Sequence, residues 1–149
     1  MSGAMRYLLI AGVVLACCGC GSATETKERT IVHVNGPATN LPVVDSCFLV
    51  LRSDVVGGGW ATYCMKRFIN DPGPNVTVLS SGELTFTLRD GTIRTHVHVR
   101  TKFGPDGHRA VQRVTGSVDG GGTVRGGGAY DEDAPGHVAS SNLRYVIVH

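Results

Sequence analysis

What this chain has little of narrows the field first. Charged residues fill only 17% of its 149 positions and aromatics only 6%, with a single Trp. Lys and Arg number 14 against 12 Asp and Glu, a balance too mild to imply nucleic acid by itself. No apolar run reaches the about 20 residues that a membrane-crossing helix requires. Long 3.6-residue periods, capping boxes, heptads and βαβ patterns are all missing, which sets aside helical bundles and doubly wound sheets. There is no G-x-S-x-G elbow, no H-E-x-x-H and no Walker loop, and GGGTVRGGG lacks the lysine and following helix of a phosphate cradle.

What is present is glycine, at 21 positions, among short alternating runs rich in Val and Thr. That combination predicts an all-β protein with many turns. The clearest stretch is Glu83 to Phe103, ELTFTLRDGTIRTHVHVRTKF, read as one long hairpin about the Asp90-Gly91 turn. Its predicted register sets Leu88 against Ile93, Phe86 against Thr95, Leu84 against Val97 and Glu83 against His98. Leu84, Phe86, Leu88, Ile93, Val97 and Val99 then face a core. Glu83, Thr85, Thr87, Arg94, His96, His98, Arg100 and Lys102 face water, because side chains two apart on a strand share a side.

Further strands are expected at Thr30 to Val34, within Val43 to Arg52, at Trp60 to Ile69, at Val76 to Leu79, at Arg109 to Val118 and at Asn142 to His149. Turns are expected over NGPATNLP (35–42), Gly57 to Gly59, Asn70 to Pro74 and the GPDG tetrad at Gly104 to Gly107. Asp119 to Gly136 reads as a long glycine-rich connection holding one short strand. Seven or eight hairpin-linked strands predict an antiparallel β-barrel of about eight strands, with a β-sandwich as the alternative.

The amino-terminal end has a different character. Arg6 precedes an apolar run from Tyr7 to Ala16, about half a membrane span, followed by CCGCGSA. This is the layout of a secretory signal. The VLAC stretch, Val14 to Cys17, resembles a bacterial lipobox, which implies acylation at Cys17 and anchoring to a membrane, although Leu15 departs from the usual small residue. Cleavage after Ala23, giving a secreted protein, is the rival. Residues 1–20 are therefore assigned to the signal, 21–29 to a flexible tether and 30–149 to a single domain. Export also bears on Cys47 and Cys64, the only cysteines of the domain. In an oxidising envelope they are expected to form a disulfide contributing about 3 kcal/mol; two separate buried thiols are the alternative.

Three segments carry a family likeness: FTLRDGTIR at Phe86 to Arg94, the GPDG turn, and GGGTVRGGGAY at Gly120 to Tyr130. Their order, ahead of a terminal aromatic strand, resembles the dirigent and allene oxide cyclase barrel superfamily over roughly the second half of the domain. Val124 stands where that family carries a further glycine, and the aromatic that should follow is missing. The resemblance implies an eight-stranded antiparallel barrel with an apolar interior, sometimes in oligomers, and does not by itself imply catalysis.

Candidate chemistry is sparse. His96 and His98 share a strand face, but a metal needs a third ligand, and the flanking Arg94, Arg100 and Lys102 repel a cation. The five together make a stripe of roughly 26 Å, a candidate surface for an anionic envelope component that would bind more tightly as the histidines gain protons. The trio Asp131, Glu132, Asp133 fits a solvated turn better than a calcium loop, since Pro135 and Asn142 fall where ligands are required. Asn75-Val76-Thr77 matches a glycosylation pattern that a bacterial-type export signal makes irrelevant. Only Glu83 is placed within a strand, so no pair of cavity carboxylates is expected. Tyr63, Thr95, Thr101 and Tyr145 are the polar side chains expected to point inward. The function expected is binding, of a small hydrophobic molecule inside the barrel or of an envelope partner on its surface, with no catalytic residue, cofactor, metal or nucleic acid. The alternative is an isomerase or cyclase working in an apolar cavity.

Overall fold

In a computed structural model the described residues are 26–44, 46–71 and 76–149. They form eight strands and no helix: β1 (Arg29–Asn40), β2 (Leu49–Val55), β3 (Trp60–Asp71), β4 (Thr77–Leu88), β5 (Gly91–Phe103), β6 (Arg109–Val118), β7 (Thr123–Ala134) and β8 (His137–Val148). Each pairs antiparallel with the next, and β8 returns to β1, so the sheet closes into a barrel. Closure removes the unpaired edges that an open sheet would expose. The Cys17 lipidation site, the Ala23 cleavage site and most of the Asn70–Pro74 turn lie outside the described residues.

Strand parity builds the core. On β5, Thr95, Val97, Val99 and Thr101 are buried while Arg94, His96, His98, Arg100 and Lys102 are exposed. At the end of the barrel where β1, β3, β5 and β7 begin, Phe86 and Ile147 are both 0% exposed, packed with Val32, Val97, Val118 and Val124. The outer wall carries exposed Arg100, Arg113, Arg125 and Arg144. A membrane-spanning barrel has the reverse arrangement, apolar outside and polar inside.

The structure corrects several expectations. Leu88 pairs with Gly91, Phe86 with Ile93 and Leu84 with Thr95, so the turn is centred on Arg89 and Asp90, not on Asp90 and Gly91. The positive φ falls on Gly91, at 143°. The register thus moves by two residues, which leaves every side chain on its expected face. It also places Glu83 opposite His96, with His98 opposite Ser81.

β1 continues to Asn40 through the supposed turn at 35–42, because a bulge between Val34 and Ala38 absorbs Gly36 and Pro37. β4 is continuous from Thr77. β2 begins at Leu49, after Val43 and Val44. β8 begins at His137, five residues before the expected Asn142.

The largest departure is β7, a full 12-residue strand where a glycine-rich connection holding one short strand was expected. Its glycines are structural. Gly127 has φ 143° and a Cβ there would lie 2.0 Å from the Gln112 carbonyl oxygen, so no other residue fits the close approach of β6.

Cys47 and Cys64 are joined by a disulfide with Cα atoms 5.4 Å apart, inside the usual range. It fastens the segment ahead of β2 to the outer side of β3.

Candidate functional site

The inward rows change character along the barrel. On β8 the row runs Ile147, Tyr145, Leu143, Ser141; on β4 it runs Phe86, Leu84, Gly82, Ser80; on β6 it runs Val118, Gly116, Val114, Gln112. Aliphatic side chains fill one end, while hydroxyl and amide groups gather toward the other. There the filling stops short and leaves a chamber of about 120 Å³, lined by Tyr63, Ser80, Thr101, Gln112, Tyr130, Glu132, Ser141 and Tyr145 among apolar neighbours such as Leu49, Leu51, Met65, Val99 and Leu143. It is close to the roughly 150 Å³ that holds one benzene-sized group. The chamber shares Leu49, Met65, Ser80, Thr101, Tyr130 and Glu132 with a vestibule of about 370 Å³ at the mouth, bounded outward by Phe48, Phe68 and Phe103.

The polar groups pair with one another. Tyr63 Oη and Ser80 Oγ are 2.9 Å apart, Gln112 Nε2 donates to Tyr145 Oη at 3.3 Å, and the side chains of Tyr130 and Thr101 are hydrogen-bonded. Ser141 Oγ donates to the Gly36 carbonyl at 2.8 Å, tying β8 to the β1 bulge. Burial raises the phenol pKa of Tyr63, Tyr130 and Tyr145, in Tyr63 against the opposing Ser80 bond and in Tyr145 against the Gln112 bond. All three therefore present neutral hydroxyls at neutral pH.

Of the inward candidates read from the sequence, Tyr63, Thr101 and Tyr145 line the chamber. Thr95 does not: it is 1% exposed in the packed half, and its hydroxyl donates to the Leu84 carbonyl at 2.7 Å. The sequence reading missed Ser80, Gln112, Tyr130, Ser141 and, above all, Glu132. The Asp131–Asp133 trio is not a turn but part of β7. Counting by twos from Val124 gives Gly126, Gly128, Tyr130 and Glu132 on the inward side, a signal that two glycines concealed.

Glu132 stands where the chamber, the vestibule and a further cleft beside His108 and Asp133 meet. Its backbone is pinned: its N–H donates to the His108 carbonyl at 2.8 Å, and His108 Nδ1–H donates to its own carbonyl at 2.9 Å. Burial pushes its carboxyl up, the neighbouring Asp133 charge adds to this, and a bond from the Gly136 N–H opposes it. Asp133 is held below the ordinary range, chiefly by its hydrogen bond with His137.

The basic stripe is exposed as expected, but its members differ in freedom. His96 meets Asp119 at 2.9 Å and lies 4.0 Å from Glu83. Arg100 lies directly across from Arg113, and Gly127 separates Arg113 from Arg144 in the same transverse row. Among the described residues these three arginines enter no ion pair, and no group of three or more His, Cys, Asp or Glu converges to hold a metal.

No family model, curated protein or solved structure matches the chain.

Proposed function

We propose that the protein is an exported, envelope-associated binding module, lipid-anchored through Cys17, that takes a small and largely apolar molecule into its barrel. The observation that carries this reading is the partly filled interior: a chamber with convergent hydroxyl and amide groups opens to the mouth, while toward the other end apolar side chains fill the barrel and leave only an outward cleft beside Leu88, Ile93 and Val118. Such a pocket suits recognition of an apolar body with a few polar contacts. β1 enters at the packed end, where Glu28 and His149 exchange backbone hydrogen bonds. An anchor there would leave the mouth free. Kinship with the dirigent and allene oxide cyclase barrels belongs to the same proposal, supported by the eight-stranded closure and by FTLRDGTIR and GPDG falling at the β4–β5 and β5–β6 turns.

Binding is preferred to isomerase or cyclase chemistry because, among the described residues, Glu132 is the only carboxyl lining the chamber, with no second carboxylate in that lining to form an acid–base pair. Native mass spectrometry of the protein purified from its host membrane tests this. The expected species begins at an acylated Cys17 and carries a small molecule. A chain beginning at Thr24 would remove the anchor, and a protein that neither carries nor takes up an apolar compound would remove the binding role.

A second reading has its own support. Like charges directly opposed across strands are destabilising, yet Arg100 faces Arg113. A surface site for an anionic envelope component would give that arrangement a purpose. Arg113→Ala and Arg144→Ala should then weaken retention on an anionic matrix while leaving uptake into the barrel unchanged.

A further inference from the structure

We infer that the ligand is an amphiphilic ammonium ion, its apolar body in the chamber and vestibule and its cationic nitrogen on the Glu132 carboxylate. This rests on the proposed reading of the interior as a ligand site and specifies the chemistry of its occupant. Among the described residues, Glu132 is the only charged side chain lining either space. Among the described residues it has no cationic partner, since their ion pairs join Lys66 and His96 to Glu83, His96 to Asp119 and His137 to Asp133. A half-buried carboxylate without a counter-charge gains most from a ligand that brings one.

The remaining polar groups argue the same way by elimination. Tyr63 bonds Ser80, Gln112 donates to Tyr145 and Tyr130 bonds Thr101, so each of these groups already has a partner and none of them carries a charge to offset an anion. With no lysine or arginine in the lining, nothing there would neutralise the head of a fatty acid or a phosphate ester. The mouth is aromatic, with Phe103 and Tyr130 edge-to-face at 6.2 Å and Phe48 and Phe68 at 5.5 Å. Ring faces attract an ammonium group and are indifferent to a neutral alcohol. Because Glu132 stands at the junction of chamber and vestibule, a nitrogen placed on it leaves an attached chain room on either side.

The test is calorimetric titration of the full chain as purified with octylammonium, 1-octanol and octanoate at neutral pH, each below its aggregation concentration. Octylammonium should bind about 10-fold or more tightly than 1-octanol, the scale of one hydrogen-bonded charge contact, and octanoate should bind weakest. Glu132→Gln should erase the ammonium advantage and leave 1-octanol within about 3-fold of its original affinity. Glu132→Lys should transfer the preference to octanoate, and circular dichroism establishes that each variant is folded. Binding of 1-octanol with no gain for octylammonium overturns the ammonium assignment alone, as does a preference that survives in Glu132→Gln. Failure of all three probes to bind overturns the interior site itself.

Discussion

The two ends of this barrel are built from the same eight strands with the same inward parity, yet one is sealed and the other is open. At the sealed end the inward positions are Phe86, Ile147, Val32 and Val124, side chains without polar atoms that pack to near-complete burial. At the mouth the same rows continue as Ser80, Ser141, Thr101, Gln112 and Glu132, beside Tyr63, Tyr130 and Tyr145. Stability is concentrated where the first set interlocks, since buried apolar area is the main favourable contribution to folding. The second set holds polar groups that bond one another or the backbone, and it leaves space. The difference places the packed core at one end, and the proposed recognition site at the other.

The strongest way to break that division is Phe86→Ala. Phe86 is fully buried and packs edge-to-face on Tyr145 at 5.3 Å. Its loss should cost about 3–5 kcal/mol, read as a lowered midpoint in chemical denaturation. A loss under about 1 kcal/mol would mean that the packed end does not hold the barrel together. Next in size is the disulfide. The double variant Cys47→Ala, Cys64→Ala should lose on the order of 3 kcal/mol in the chain-entropy model. Because Cys47 adjoins Phe48 on the vestibule wall, hydrogen exchange should rise more around β2 and β3 than around Phe86 and Ile147.

Smaller effects sharpen the contrast. Tyr63→Phe removes the bond to Ser80 and should cost about 1 kcal/mol of stability, with a change in ligand affinity that Phe86 variants still able to fold do not show. Glu132→Gln should act with the opposite sign. Its carboxyl is raised in the folded state, so the stability linked to its protonation is complete below the unfolded pKa and is lost as pH rises through the folded one. The variant should therefore melt higher than the unmodified protein at neutral pH and converge with it at acid pH. The group is only half-buried, so solvent screening keeps the difference under about 1 kcal/mol. Equal melting temperatures at both pH values would show that Glu132 carries no strain.

The sealed end was legible in the sequence and the mouth only in part, for physical reasons. Alternation in Leu84, Phe86, Val97 and Val99 specifies a buried face, so a turn displaced by one residue, which moves the register by two, cost nothing in facing. Tyr63, Thr101 and Tyr145 could be read inward from parity on β3, β5 and β8. Thr95 shares that parity but lies deeper than the chamber, and depth along a barrel depends on strand stagger, which a single strand's pattern does not contain. β7 was hidden because Gly126, Gly127 and Gly128 erase the alternation that marks a strand. Turn-forming residues misled at β1 as well, where Gly36 and Pro37 form a bulge. Ser141 bonds that bulge, a long-range contact with no local signature.

The central claim is that recognition lies inside the open half of the barrel. Methyl-resolved NMR of the chain titrated with 1-octanol addresses it directly, because reporters stand on both sides of the division. The methyl groups of Leu49, Leu51, Met65 and Leu143, which line the chamber, should shift to saturation, while those of Val32, Val124 and Ile147 in the packed end should stay still. Shifts confined to exposed outer side chains such as Ile69 and Leu79, with the chamber methyl groups unmoved, would contradict it.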